Sequence, residues 1–259
     1  MSRYYKYNEL KLPSVTTIIA DCTDKSAPLT QWAANMVCQH IRDCCVHTKV
    51  SISVNIPGLP DKDYYEVTEQ DLNDARFNFR KVSQEALDTG SEVHDWIETY
   101  LKSECYPDFD YKFYYDLKPE VHNAVSAFLG WAEDNNLKPI SIEKTVYGNG
   151  WAGMLDFFGY LNGKLYVLDW KSSKVIYPEM RYQIAAYRSE TPRMKQIDQS
   201  DDKENWVETG CGILRLDKET GLPEFKDTSK TYEQDLNVFN KMVELYFARH
   251  PIIRKNAGR

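Results

Sequence analysis

Apolar side chains recur along this chain at two periods, helical through most of the first half and alternating through much of the second. Between Pro28 and His47 they fall at Trp32, Met36, Val37, Ile41 and Cys45, the spacing of one helical face. Residues 48–66 contain Pro57, Gly58 and Pro60 and read as a loop or irregular hairpin, although Val50, Ile52, Val54 and Ile56 alternate as in a strand. Thr68 with Asp71 makes a capping-box-like start to a helix that runs to Asp88, where Thr89-Gly90 is expected to break it. A second helix carries Val93, His94, Ile97, Tyr100 and Leu101 to about Glu104. Residues 119–136 predict another amphipathic helix, with Pro119 in its first turn and Val121, Val125, Phe128, Leu129 and Ala132 on its apolar stripe.

From Ile140 the period becomes that of a strand, reaching Tyr147 and a turn at Gly148-Asn149-Gly150. A hairpin follows over residues 153–174, then a helix opened by Pro178, a charged loop over 189–205, a strand over 206–216 and a last helix over about 230–249. Helices, three antiparallel strands, a helical crossover and a later strand make an α/β layout with a mixed central sheet flanked by helices. One domain is expected over 1–259, with 1–136 as a mainly helical N-terminal elaboration and 137–259 as the α/β core.

The hairpin fixes its own register. Asn162-Gly163 signals a two-residue type I′ turn, because both residues accept the positive φ it demands. With Leu161 facing Lys164, counting back from the turn puts Asp156 opposite Asp169, and Lys171 shares their face. Directly opposed residues have Cβ atoms about 4.5–5.5 Å apart, where two like charges repel. A divalent cation between the carboxylates would offset that repulsion, and hard oxygen ligands suit Mg²⁺ or Mn²⁺ better than zinc. The alternative is a hairpin with solvent-facing acids, one neutralised by the lysine. Asp169, however, ends the apolar run Leu165, Tyr166, Val167, Leu168, which reads as a buried strand. Glu143 would face Asp156 if Asn149-Gly150 is a two-residue turn; a three-residue turn would shift it away.

Composition narrows the class. The 259 residues are 42% hydrophobic and 27% charged, with no apolar run approaching a membrane span, so no membrane association is expected. The N-terminal stretch lacks the apolar core of a secretory signal, giving an intracellular, cytoplasmic expectation, or a viral protein in the host cytoplasm. Six cysteines at 22, 38, 44, 45, 105 and 211 show no metal-cluster spacing and are expected as reduced thiols, with Cys44 and Cys45 both helical. A net charge of -7 argues against a general polyanion coat and leaves room for a local basic groove.

Asp156 followed by Asp169-x-Lys171 on a hairpin leading into a helix resembles the PD-(D/E)xK nuclease superfamily. Gly90-Ser91-Glu92-Val93-His94 is similar to the GxxxH element of its RecB-like exonuclease branch, which includes the CRISPR-adaptation nucleases and the mitochondrial genome maintenance exonuclease. Gln183-Ile184-Ala185-Ala186-Tyr187 is similar to the QxxxY element, and Leu12-Pro13-Ser14-Val15-Thr16-Thr17-Ile18-Ile19 resembles the PSVT segment, which may be taken to line a passage for DNA or to pack on the core. The resemblance covers about residues 12–190.

It implies a restriction-endonuclease-like core and a metal-dependent DNA exonuclease that hydrolyses phosphodiester bonds with a metal-activated water. His94, Asp156, Asp169 and the Trp170 carbonyl would hold Mg²⁺ or Mn²⁺, with Glu143 as a further ligand. Lys171 would position or activate the water, and Gln183 and Tyr187 would place substrate. Ser172, Ser173, Lys174 and Arg181 are candidate phosphate contacts. The expected partner is DNA with a free end or a single strand, while protein partners are not indicated. With no cysteine after Cys211 and no Walker-type loop, neither an iron–sulfur cluster nor a nucleotide cofactor is expected. The alternative is a non-catalytic nucleic-acid-binding or adaptor protein that retains the nuclease fold.

Overall fold

A computed structural model describes residues 4–50, 62–105, 116–194 and 209–256. The chain divides into two compact units, Met1–Thr23 with Thr89–Arg259, and Asp24–Asp88. Strands β1 (Tyr4–Tyr7) and β2 (Leu10–Pro13) pair antiparallel across a turn in which Asn8 has φ 52, a hairpin that the polar lead-in did not announce. Ser14 then caps α1 (Val15–Cys22), its hydroxyl accepting from the Thr17 amide at 2.9 Å, and Val15, Ile18 and Ile19 are buried. The PSVT segment is thus a strand end and helix cap packed on the core.

The Asp24–Asp88 unit holds α2 (Ser26–Cys44), the antiparallel pair β3 (Val46–Val50) and β4 (Lys62–Glu66), and the beginning of α3 (Glu69–Cys105). Helix α2 ends before His47 because Val46 and His47 pair with Glu66 and Tyr65, so Cys44 closes the helix and Cys45 lies just beyond it, extended. The strand-like positions Ile52, Val54 and Ile56 lie outside the described residues. Thr89-Gly90 does not break the helix, which runs on as one element. Glycine inside a helix costs only about 1 kcal/mol, and here its bareness is used: a Cβ at Gly90 would stand 3.2 Å from Ser172 Oγ.

The larger unit continues through α4 (Pro119–Asp134), β5 (Lys138–Gly148), β6 (Trp151–Leu161), β7 (Lys164–Lys171), α5 (Pro178–Ser189), α6 (Thr191–Met194), β8 (Gly210–Leu216), β9 (Pro223–Asp227), α7 (Tyr232–Arg249) and α8 (Pro251–Asn256). The central sheet has the order β5-β6-β7-β8-β9, antiparallel except for the parallel β7–β8 pair that α5 makes possible by its crossover. Edge strand β9 was not foreseen. One core joins Ile18, Val167, Ile213, Ile184 and Phe239; the other joins Val93, Ile97, Phe128, Leu168, Trp170 and Leu214. The sheet is therefore packed between α1, α5 and α7 on one side and α4 with the later part of α3 on the other. The expected α/β class with a mixed sheet is what the chain adopts. Among the described residues no helix is long and apolar enough to cross a membrane.

Candidate metal centre

The hairpin turn forms as its residues require, with Asn162 at φ 49 and Gly163 at φ 77, and Leu161 pairs with Lys164. The ladder continues to Phe157 opposite Leu168 and stops one step short of Asp156 and Asp169. This corrects the expectation of two directly opposed carboxylates. The strands part because the Asp156 carboxylate takes the ladder's place, Oδ2 accepting from the Trp170 amide at 2.8 Å, while β7 pairs with β8 from Tyr166 through Lys171.

On the other edge of β6, Gly148 pairs with Trp151, so Asn149-Gly150 is a two-residue turn. Ile142 pairs with Phe157 and Lys144 with Leu155, which sets Glu143 opposite Asp156. Among the described residues Glu143 is the one non-glycine, non-asparagine residue with positive φ, at 48. Holding a glutamate in the left-handed region costs on the order of 1–3 kcal/mol, and such strain concentrates at functional sites.

His94, Glu143 and Asp156 come together, each offering a ligand atom within 4.8 Å of the others. His94 reaches the group from α3, with Nδ1 3.5 Å from Asp156 Oδ2 and Nε2 3.2 Å from the Trp170 carbonyl oxygen. A proton on Nε2, donated to that carbonyl, leaves the Nδ1 lone pair facing a carboxylate, an arrangement that suits a cation between them. The Trp170 carbonyl is thereby engaged by His94, with its second lone pair left over.

Asp169 stands outside the three-residue group. It is 1% exposed; Oδ1 accepts from Gln183 Nε2 at 3.0 Å, and the Lys171 ammonium lies 2.5 Å from Oδ2. That contact is an ion pair without a well-directed hydrogen bond, and Oδ2 has no other partner among the described residues. Gln183 Nε2 also donates to the Tyr187 hydroxyl at 3.2 Å, using both hydrogens of its amide. Tyr187 itself is 3% exposed, so it acts through Gln183 and does not reach substrate.

The electrostatics reflect crowded acids. Burial pushes the Glu143 carboxyl up to about 8, helped by Asp156, Glu98 and Asp169. Burial likewise raises Asp156 to about 6, with Asp169 adding to the shift and His94 and Lys171 opposing it. Burial pulls Lys171 down, but Asp169 and Asp156 outweigh it and the net direction is up, so the ammonium keeps its proton. Tyr187 is held well above its ordinary value by burial and then by Asp169.

The remaining candidates fall elsewhere. Ser172 Oγ sits over Gly90, and Ser173 Oγ donates to the Val175 carbonyl at 2.8 Å. Lys174 is exposed and 3.5 Å from Glu219. Arg181 forms a two-pronged pair with Asp235, Nη2 to Oδ1 at 2.6 Å and Nε to Oδ2 at 3.1 Å, which fastens α5 to α7 and occupies the group expected to meet phosphate.

Two participants were missed in the sequence. Gly153 makes room for Tyr187, since a Cβ there would lie 2.4 Å from the ring; the signal was a glycine inside an apolar strand. Glu98 and Lys102, one and two turns beyond His94, pair with each other and both act on Glu143; their signal was the four-residue spacing.

The donor set passes a simple test for a hard divalent cation. It is rich in carboxylate oxygen with one imidazole, two of its acids hold protons they would ordinarily lose, and a buried Asp169 oxygen lacks a hydrogen bond. No family model and no curated protein matches the chain.

Proposed function

We propose that the chain is a divalent-cation-dependent deoxyribonuclease that hydrolyses phosphodiester bonds, with a strand end as its preferred substrate. The observation that carries this reading is the convergence of His94, Glu143 and Asp156 beside the Lys171–Asp169 pair. His94, Glu143 and Asp156 would hold the cation, Mg²⁺ or Mn²⁺, with Asp169 and the Trp170 carbonyl at its border. When bound, the cation supplies positive charge against the phosphate and lowers the pKa of a water.

The side chains divide the other work. Lys171, protonated and half-buried, stabilises the negative charge that grows on the phosphoryl oxygens and orients the attacking water, and its raised pKa argues against a role as general base. Gln183 keeps Asp169 turned toward Lys171, and Tyr187 keeps Gln183 in place. Lys174 is available to a flanking phosphate. The preference for DNA and for ends comes from the sequence resemblance.

The experiment is incubation of end-labelled single-stranded, duplex and circular DNA with Mg²⁺, Mn²⁺ or EDTA, beside Asp169→Asn and Lys171→Ala. Cation-dependent loss of label from linear DNA, abolished in both variants, is expected. Intact DNA in every folded wild-type sample would favour the non-catalytic binding alternative, and cutting of circles would exclude a requirement for ends.

A further inference from the structure

The first half of α3, within the Asp24–Asp88 unit, carries the run Arg76-Phe77-Asn78-Phe79-Arg80-Lys81. Phe77 is 45% exposed, and two guanidiniums lie over its ring, Arg76 at 5.4 Å and Arg80 at 5.0 Å from the centroid. Arg80 is also 5.7 Å from the centroid of Phe79. Arg76, Arg80 and Lys81 are all exposed, and among the described residues none has a carboxylate partner. The acids of the same helix are engaged by neutral groups: Asp71 by Thr68, Asp74 by Gln70 and Asp88 by Gln84.

In a chain of net charge -7, with 39 acidic residues to choose from, three uncompensated cations around an exposed ring are a local inversion of charge. The patch is not an apolar docking stripe. Exposed Leu87 lies ten residues away, roughly 15 Å along the helix, and Leu72 is turned to a different side by its five-residue offset. An exposed ring flanked by guanidiniums offers a stacking platform with phosphate-binding groups beside it, and only a strand whose bases are not already stacked in a duplex can use both.

We infer that this face of α3 binds single-stranded DNA, a base stacking on Phe77 and Arg80 while Arg76 and Lys81 meet the flanking phosphates. The choice of DNA as the polymer rests on the nuclease reading; the stacking surface does not.

The test is equilibrium binding of the full chain, by fluorescence anisotropy in EDTA, to a labelled oligonucleotide of about 20 nucleotides. It compares Phe77→Ala, Phe77→Tyr and the double variant Arg76→Gln with Arg80→Gln, each checked for folding by circular dichroism. Phe77→Ala should weaken binding roughly 5- to 150-fold and Phe77→Tyr should restore it. The double arginine variant should flatten the slope of log affinity against log salt by about 1.4, about 0.7 for each lost phosphate contact. Wild-type affinity in a folded Phe77→Ala and an unchanged salt slope would overturn the inference. Equal affinity for duplex, or competition by an acidic peptide as strong as by unlabelled strand, would overturn it as well. Phe77-dependent binding in a protein that cleaves nothing with Mg²⁺ or Mn²⁺ would leave this surface standing while the enzyme reading fell, and cleavage with binding indifferent to Phe77 would do the reverse.

Discussion

Cation binding should compete with protons at Glu143 and Asp156, and the competition can be given a slope. With Glu143 at about 8 and Asp156 at about 6 in the cation-free protein, about nine-tenths of the Glu143 carboxyls and about one-tenth of those of Asp156 are protonated at pH 7. A cation entering the His94, Glu143 and Asp156 group must therefore displace about one proton at that pH. Affinity for Mn²⁺ should rise roughly tenfold per pH unit between pH 6 and 8, level off above, and fall more steeply below 6 as Asp156 also protonates. Titration calorimetry in two buffers of different ionisation enthalpy reads both the affinity and the proton count, and Glu143→Gln should remove most of the dependence above pH 7. Stability follows the opposite course without cation. Both acids have folded values above their ordinary 4.5 and 3.8, so their contribution is fully present below about pH 4 and is lost as pH rises through about 6 and then about 8. Thermal unfolding should show that decline in EDTA and its reversal with Mn²⁺. An affinity constant across pH 6–8, with no dependence on buffer, would refute the reasoning.

Three further outcomes are expected. Gly153→Ala should destabilise the fold by about 1–3 kcal/mol in urea unfolding, because its methyl group would meet the Tyr187 ring at 2.4 Å, and Tyr187→Leu in the same chain should recover part of the loss. Tyr187→Phe keeps the ring but removes the acceptor that Gln183 uses, so it should lower turnover on DNA with little change in KM and cost only about 1 kcal/mol of stability. Arg181→Ala should cost about 3–5 kcal/mol, since it strands Asp235 at 1% exposure, yet leave DNA affinity unaltered in folded protein; a selective loss of affinity would restore Arg181 as a phosphate contact.

Much of the fold was legible because it is written in local chemistry. Asn162-Gly163 and Asn149-Gly150 are turns whose geometry only a few residues accept, and each sets the register of everything up to the first irregularity. Pro119 and Pro178 mark helix starts for an equally local reason. The failures are non-local. Thr89-Gly90 reads as a helix break until Ser172, more than eighty residues away, fills the space a side chain would occupy. Edge strand β9 offers an exposed, charged sequence, and only the open flank of β8 makes it a strand. Arg181 looks like any surface cation until α7 folds back and presents Asp235.

The parting of β6 and β7 shows why the site could be located from sequence but not built from it. Register arithmetic leads to Asp156 and Asp169 facing each other, and the turn that supports it forms as expected. What the arithmetic omits is that a carboxylate can outcompete a backbone carbonyl for an amide, because a hydrogen bond to an ionised acceptor is stronger than one to a neutral acceptor. Asp156 does this at Trp170, and the ladder ends there. Once the strands separate, the two acids answer to opposite layers: Asp156 to His94 on α3, Asp169 to Gln183 on α5. Glu143 then fills the place beside Asp156 that an unbroken hairpin would have given to Asp169, and it does so from a backbone conformation glutamate ordinarily avoids. The strain at Glu143 and the opening of the ladder are thus two sides of one arrangement. Closing the ladder would bring Asp169 toward Asp156 and leave Glu143 without a reason to be strained. Glu143→Gly, which relieves the positive φ while removing a ligand, should accordingly stabilise the cation-free protein and weaken Mn²⁺ binding together, the two readouts moving in opposite directions in the same variant.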